Sequence, residues 1–141
     1  MQNKSFVQWL VAFLLIASIM GQPSYASAAS SKPSYEYYVV GSSGDAINKT
    51  TSFGEILMGG GTDVDAAFQW MINKSGGGDF VVIRASGTDA YNPYIYAFGG
   101  IDSVETIIIK NRAAASDLFV VDKIRNAEAL FIAGGDQNDY V

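Results

Sequence analysis

Three short apolar runs, Phe80 to Ile83, Val104 to Ile109 and Leu130 to Ala133, constrain this chain more than any other feature. Each is strand length; Phe80 to Ile83 and Leu130 to Ala133 are wholly apolar and the middle run centres on Ile107, Ile108 and Ile109, a density that belongs to strands covered on both faces. Between the runs lie segments with apolar residues at helical spacing. Val64, Ala67, Phe68, Met71 and Ile72 form one stripe; Leu118, Phe119, Val120, Val121 and Ile124 form another. Strand alternating with helix predicts an α/β fold, a mostly parallel sheet with helices on both faces. Right-handed crossovers then gather the strand C-termini on one edge, where such sheets bind ligands.

Taken in order, Tyr37 to Val40 reads as a first strand and Gly41 to Lys49 as a polar loop. Glu55 to Met58 reads as a second strand, running into Gly59-Gly60-Gly61 and a helix capped by Thr62 or Asp63. Gly76-Gly77-Gly78 ends that helix, and Asp79 to Arg84 is the third strand. Tyr91 to Phe98 is expected to be helical after Pro93 and to stop at Gly99-Gly100. Val104 to Lys110 is the fourth strand, Ser116 to Asn126 a helix, and Leu130 to Ala133 the fifth strand, with a further helix opening after Gln137. Four loops fall at the strand C-termini: Gly59 to Asp63, Ala85 to Asp89, Asn111-Arg112 and Gly134 to Gln137.

The domain begins after an export signal. Phe6 to Met20 is almost wholly apolar, Gly21 and Pro23 break it, and Ala26-Ser27-Ala28 is an A-x-A cleavage site. Residues 1–28 are therefore read as a signal peptide, 29–36 as a flexible lead-in and 37–141 as the domain. The apolar stretch is short for a membrane span, so no stable anchor is expected after cleavage. With no cysteine in the chain there is no disulfide, lipoprotein anchor or thiolate metal site to consider. Loss of Lys4 leaves eight bases against fourteen acids, a net charge of −6. That balance, with no basic cluster, argues against nucleic acid as a partner. The absence of histidine removes the commonest general base and metal ligand.

Few motifs carry chemistry. Ala129 to Gln137 reads as a buried strand delivering a tight glycine turn. Backbone N–H groups freed there, near a helix N-terminus, suit an oxyanion or carboxylate. Gly59-Gly60-Gly61 matches neither the P-loop nor the dinucleotide fingerprint and reads first as a strand-to-helix turn. Ser86 half-matches the nucleophile elbow, but Arg84 occupies the first glycine position. Without histidine a Ser-His triad within the chain is impossible. The pairs Asp63 with Asp65 and Asp136 with Asp139 belong to no metal-ligand series. Asp63 and Asp65 more simply suit the first turn of a helix. Tyr91, Tyr94, Tyr96 and Phe98 form core or rim, or alternatively a wall stacking on a peptide or guanidinium group.

Four blocks in this order, Gly59-Gly-Gly-Thr-Asp-Val-Asp65, Gly77-Gly-Asp-Phe-Val-Val-Ile-Arg-Ala-Ser-Gly87, Tyr91-Asn92 and Ile132-Ala-Gly-Gly-Asp-Gln137, resemble the cyanophycinase-like serine peptidases of the dipeptidase E group. The likeness covers roughly Tyr37 to Val141. It implies the class I glutamine-amidotransferase-like fold, a three-layer α/β/α flavodoxin-like sandwich, present here in its N-terminal portion and truncated after the fifth strand. It also implies hydrolysis of peptide or β-aspartyl isopeptide bonds by a serine on a Gly-x-Ser-Ala-Gly elbow, expected after Val141, with a histidine further on. The present chain is then catalytically incomplete. By position in the motif, Gly134, Gly135 and Asp136 would help form the oxyanion hole and Gln137 would contact substrate. Gly60, Gly61, Ser86 and Asp89 would form the rim. No metal or other cofactor is implied, and the likeness suggests a homodimer; the signal segment implies export from a bacterial cell. Two other readings stay open: a non-catalytic exported module holding a carboxylate or peptide at the sheet edge, and a flavodoxin-like nucleotide-binding protein.

Overall fold

The computed structural model describes residues 34–136 and 138. The proposed signal peptide, Gln137 and Asp139 therefore lie outside the described residues. The element order is β1 (Tyr35–Gly41), α1 (Asp65–Lys74), β2 (Asp79–Arg84), α2 (Tyr91–Tyr96), β3 (Ser103–Ile109), α3 (Arg112–Ala115), α4 (Leu118–Asn126) and β4 (Ala129–Ile132). This is a mixed α/β fold around a four-stranded sheet in the order β1-β3-β2-β4.

The three apolar runs behave as expected. β2 lies parallel to both β3 and β4, pairing Phe80 with Val104 on one side and with Ala129 on the other. Successive residues of β2 point to opposite faces, so each face receives its own core. Phe80 and Val82 join Phe68 and Ile72 of α1 and Ile95 of α2. Val81 joins Ile107 of β3 and Val120 of α4. Helices thus cover both faces, which explains why β2 needs apolar residues at consecutive positions.

The ends of the elements follow local chemistry. Asp65 opens α1, where a negative charge suits the helix dipole. Its N-cap is Val64 rather than Thr62 or Asp63, and no side chain caps it, because Asp63 is engaged by a tyrosine elsewhere. Gly76 and Gly77 leave the helix at φ of +65° and +74°, values that an L side chain rarely adopts. Pro93 lies inside α2 instead of opening it. The expected single helix over Ser116 to Asn126 is instead preceded by a separate short turn, α3, because two caps start two helices. Asn111 Oδ1 accepts from Ala114 N at 2.9 Å, and Asp117 Oδ1 accepts from Phe119 N at 2.9 Å.

Two strand expectations are corrected. β1 runs antiparallel to β3, pairing Tyr35 with Ile109 and Gly41 with Ser103. It is a sheet edge whose Tyr35 and Tyr37 rings lie against Phe119, not a member of the parallel set. Glu55 to Met58 forms no strand, so the described sheet has four strands and not five. The residues just before it are tied to α1. Ser52 N donates to Lys74 O at 2.9 Å, and Gly54 sits flush against the Trp70 indole.

Candidate functional site

Because β2 and β4 are parallel neighbours, their following loops leave the sheet at the same edge. Ala133 N donates to Ile83 O at 3.0 Å, carrying the pairing one residue past β4. Gly134 then has open space around the position a side chain would fill. Asp136 is exposed, and its Oδ1 accepts from Asn138 N at 2.9 Å and from Asn138 Nδ2 at 3.1 Å. The carboxylate therefore steadies its own turn. Gly134, Gly135 and Asp136 stand at the edge where the motif was expected to deliver them.

The last residue of β2 is Arg84, and its loop closes back on it. Arg84 Nη1 donates to Thr88 O at 2.8 Å, and Gly87, at φ +105°, lies against the guanidinium. Any side chain at Gly87 would collide with it. The guanidinium lies 5.4 Å from the Tyr91 ring centroid, within cation–π range. Arg84 Nε is shielded from solvent and has no acceptor among the described residues.

Arg84 forms one wall of an open cleft of about 520 Å³, lined also by Thr62, Asp63, Asp65, Tyr91 and Tyr94. The tyrosines hold the two carboxylates. Tyr91 OH donates to Asp63, 3.1 Å from Oδ2 and 3.2 Å from Oδ1, and Tyr94 OH donates to Asp65 Oδ1 at 2.5 Å. The hydrogen bond to Asp65, with burial and the carboxylate charge behind it, pushes the Tyr94 hydroxyl up to about 12. Tyr94 is thus a fixed donor at neutral pH and not a base. The aromatic bodies are seated from below, since Phe68 meets Tyr94 edge-on at 5.5 Å and Tyr91 at 6.1 Å. Two carboxylates, one guanidinium and aromatic walls suit a ligand carrying both charges and a flat polar group, such as a peptide.

The other expected rim residues stand nearby in different ways. Gly60 and Gly61 are exposed and lead into Thr62 and Asp63 of the cleft. Ser86 is exposed on the Arg84 loop, and the Asp89 carbonyl accepts from Asn92 N at 2.8 Å to start α2. The cleft is lined by the two flanks of that loop rather than by Ser86 or Asp89. Sequence reasoning split the cleft residues among a failed elbow, a helix dipole and an aromatic cluster. The available signal was their joint position, since Arg84 ends a strand and Tyr91 and Tyr94 open the next helix.

A second polar centre went unread within an apolar strand. Glu105 of β3 is fully buried, accepting from Lys123 Nζ at 2.9 Å and from Tyr37 OH at 3.0 Å. Ser103 Oγ lies 3.2 Å from Glu105 and donates to Asp79 Oδ1 at 2.6 Å. Asp79, Glu105 and Lys123 border a small cavity of about 160 Å³ beneath α4. Asp79 and Ser103 start β2 and β3, at the end of the sheet away from the cleft. Among the described residues no group of three or more Asp, Glu, His or Cys is placed to hold a metal ion. No described helix is long and apolar enough to cross a membrane.

Compared with known proteins, the chain matches no family model, no curated protein and no solved structure.

Proposed function

We propose that this chain is the substrate-binding portion of an exported, cyanophycinase-like serine peptidase domain with a flavodoxin-like three-layer architecture. The observation that carries the reading is the shared edge of β2 and β4. There the Gly134-Gly135-Asp136 turn and the Arg84–Asp89 loop emerge from adjacent parallel strands. Glycine backbone at that edge suits an oxyanion, and the neighbouring cleft of Arg84, Tyr91, Tyr94, Asp63 and Asp65 suits the peptide around it. With no histidine in the 141 residues, the nucleophile and base come from residues outside them. By itself the chain binds peptide or isopeptide at the sheet edge without cutting it, and the complete protein acts as a homodimer.

Calorimetry and a hydrolysis assay on the same dipeptides, normal and β-aspartyl, test this. The purified chain binds without turnover, Arg84→Ala abolishes binding, and Ser86→Ala changes nothing. Turnover that disappears in Ser86→Ala overturns the proposal by making Ser86 the nucleophile. Binding of neither peptide class overturns it as well.

A further inference from the structure

β4 ends the sheet with a bare margin. Among the described residues nothing pairs with its outer edge. Its face opposite the α1–α2 core carries Leu130 and Ile132, which are 39% and 61% exposed. The other margin is guarded differently, since β1 carries Glu36, bonded to Tyr38 OH and Lys110. Charged edges resist further strand pairing, whereas exposed apolar ones invite it.

The same chain holds a matching segment. Glu55 to Met58 is strand-like in sequence, lies outside every helix and strand, and is four residues long, like β4. Its burial alternates: Ile56 and Met58 are partly covered, while Leu57 is 90% exposed. Met58 already packs on the cluster that contains Phe131 and Ala129 of β4. Period-two alternation then puts Leu57 on the opposite face, the one with Leu130 and Ile132.

We propose that Glu55–Met58 docks on the free edge of β4 as a fifth, parallel strand. Docking covers Leu57, Leu130 and Ile132 with one another and keeps Met58 on the core it already touches. The direction is parallel because α1 follows the segment and β2 follows α1, a strand–helix–strand unit. The turn Gly59-Gly60-Gly61 then lies level with Gly134-Gly135, so two glycine loops offer backbone N–H groups at one edge. Gly59, Gly60 and Gly61 have open space where side chains would stand, so the hinge meets no steric barrier.

The chain has no cysteine, so introduced pairs report the docking cleanly. Leu57→Cys is combined with Leu130→Cys, and separately with Ile132→Cys, and each protein is oxidised mildly. At least one pair closes an intramolecular disulfide, because adjacent strands bring Cβ atoms within bridging range. Ile56→Cys with the same partners points to the other face and does not close. Failure of both Leu57 pairs, equal closure by the Ile56 controls, or a covalent dimer overturns the proposal; the dimer assigns the edge to a second copy. Amide exchange on the unsubstituted chain gives a reading independent of folding defects in the variants. Slow exchange across Ile56–Met58 supports docking, and exchange as fast as in the Gly59–Gly61 loop overturns it.

Discussion

The ammonium of Lys123 lies 2.9 Å from Glu105, a carboxylate with no solvent-exposed surface at the centre of β3. One charge comes from a buried strand and the other from α4, so the pair joins helix to sheet. Tyr37 adds a strand from the sheet margin through its 3.0 Å bond to Glu105. A buried carboxylate is tolerated only while its partners remain.

Lys123→Met therefore leaves Glu105 buried without a counter-charge and costs about 3–5 kcal/mol. Glu105→Gln costs less, because an amide in the same place still accepts from Tyr37 and carries no charge needing a partner. Urea denaturation of the two single variants checks the order. Equal losses, or a milder loss for Lys123→Met, show that the pair contributes through packing alone.

Alkaline pH weakens the same centre. Burial alone would lower Lys123, but the hydrogen bond and charge of Glu105 hold it above its ordinary 10.5. A raised folded value means stability is complete below the unfolded value and is lost as pH rises through the folded one. Tyr37, raised by burial and by Glu105, acts in the same direction. Stability falls as pH climbs past 10.5, and the fall is shallower in Lys123→Met. A pH profile identical in the variant rules Lys123 out as its source.

Tyr94 titrates late because Asp65 holds its proton. Ultraviolet titration of phenolate formation finds one tyrosine near 12, and Asp65→Asn brings it down toward its ordinary 10.0. Tyr94→Phe removes that late step while leaving the others. A titration curve unchanged by Asp65→Asn removes this contact from the cleft.

Phe68 is fully buried and touches both the sheet core and the cleft, with ring contacts to Phe80, Tyr91, Tyr94 and Phe131. Phe68→Ala costs about 3–5 kcal/mol through lost burial and the cavity left behind. Phe68→Leu costs about 1–2 kcal/mol, nearer to the volume-conserving range. If the cleft rests on this ring, dipeptide affinity falls in Phe68→Leu even where the protein remains folded. Undiminished affinity in that variant separates the cleft from the core.

Two glycines of similar φ separate conformational from steric cost. Gly77, at +74°, would place a Cβ 2.7 Å from the Gly100 carbonyl oxygen, whereas Gly99, at +71°, faces open space. Gly99→Ala pays only for the left-handed backbone, about 1–2 kcal/mol. Gly77→Ala adds a backbone collision and loses more. Thermal melting of the two variants, expected to rank Gly77→Ala lower, decides it.

The sequence by itself determined the parallel core. Asp79–Arg84 was legible to the residue, and the runs that became β3 and β4 were located within a residue at each end, because strands covered on both faces concentrate apolar residues at consecutive positions. Gly76-Gly77 and Gly99-Gly100 were legible as stops because their φ values exclude most side chains. Pairing and convergence were decided only in three dimensions. The direction of β1 is set by its partner β3, and a short run such as Tyr35–Gly41 carries no mark of it. Glu55 to Met58 reads as a strand because local pattern cannot reveal that α1 holds the preceding Ser52 and Gly54. Glu105 carried no signal by itself, because its partners Tyr37 and Lys123 are distant in sequence and meet it only in the fold. The cleft is the same case, for Asp63 and Tyr91 lie 28 residues apart and meet only after α1 and α2 settle on one face of the sheet. Composition and periodicity act over a few neighbouring residues, whereas charge pairing and cleft formation require the whole sheet to place their partners.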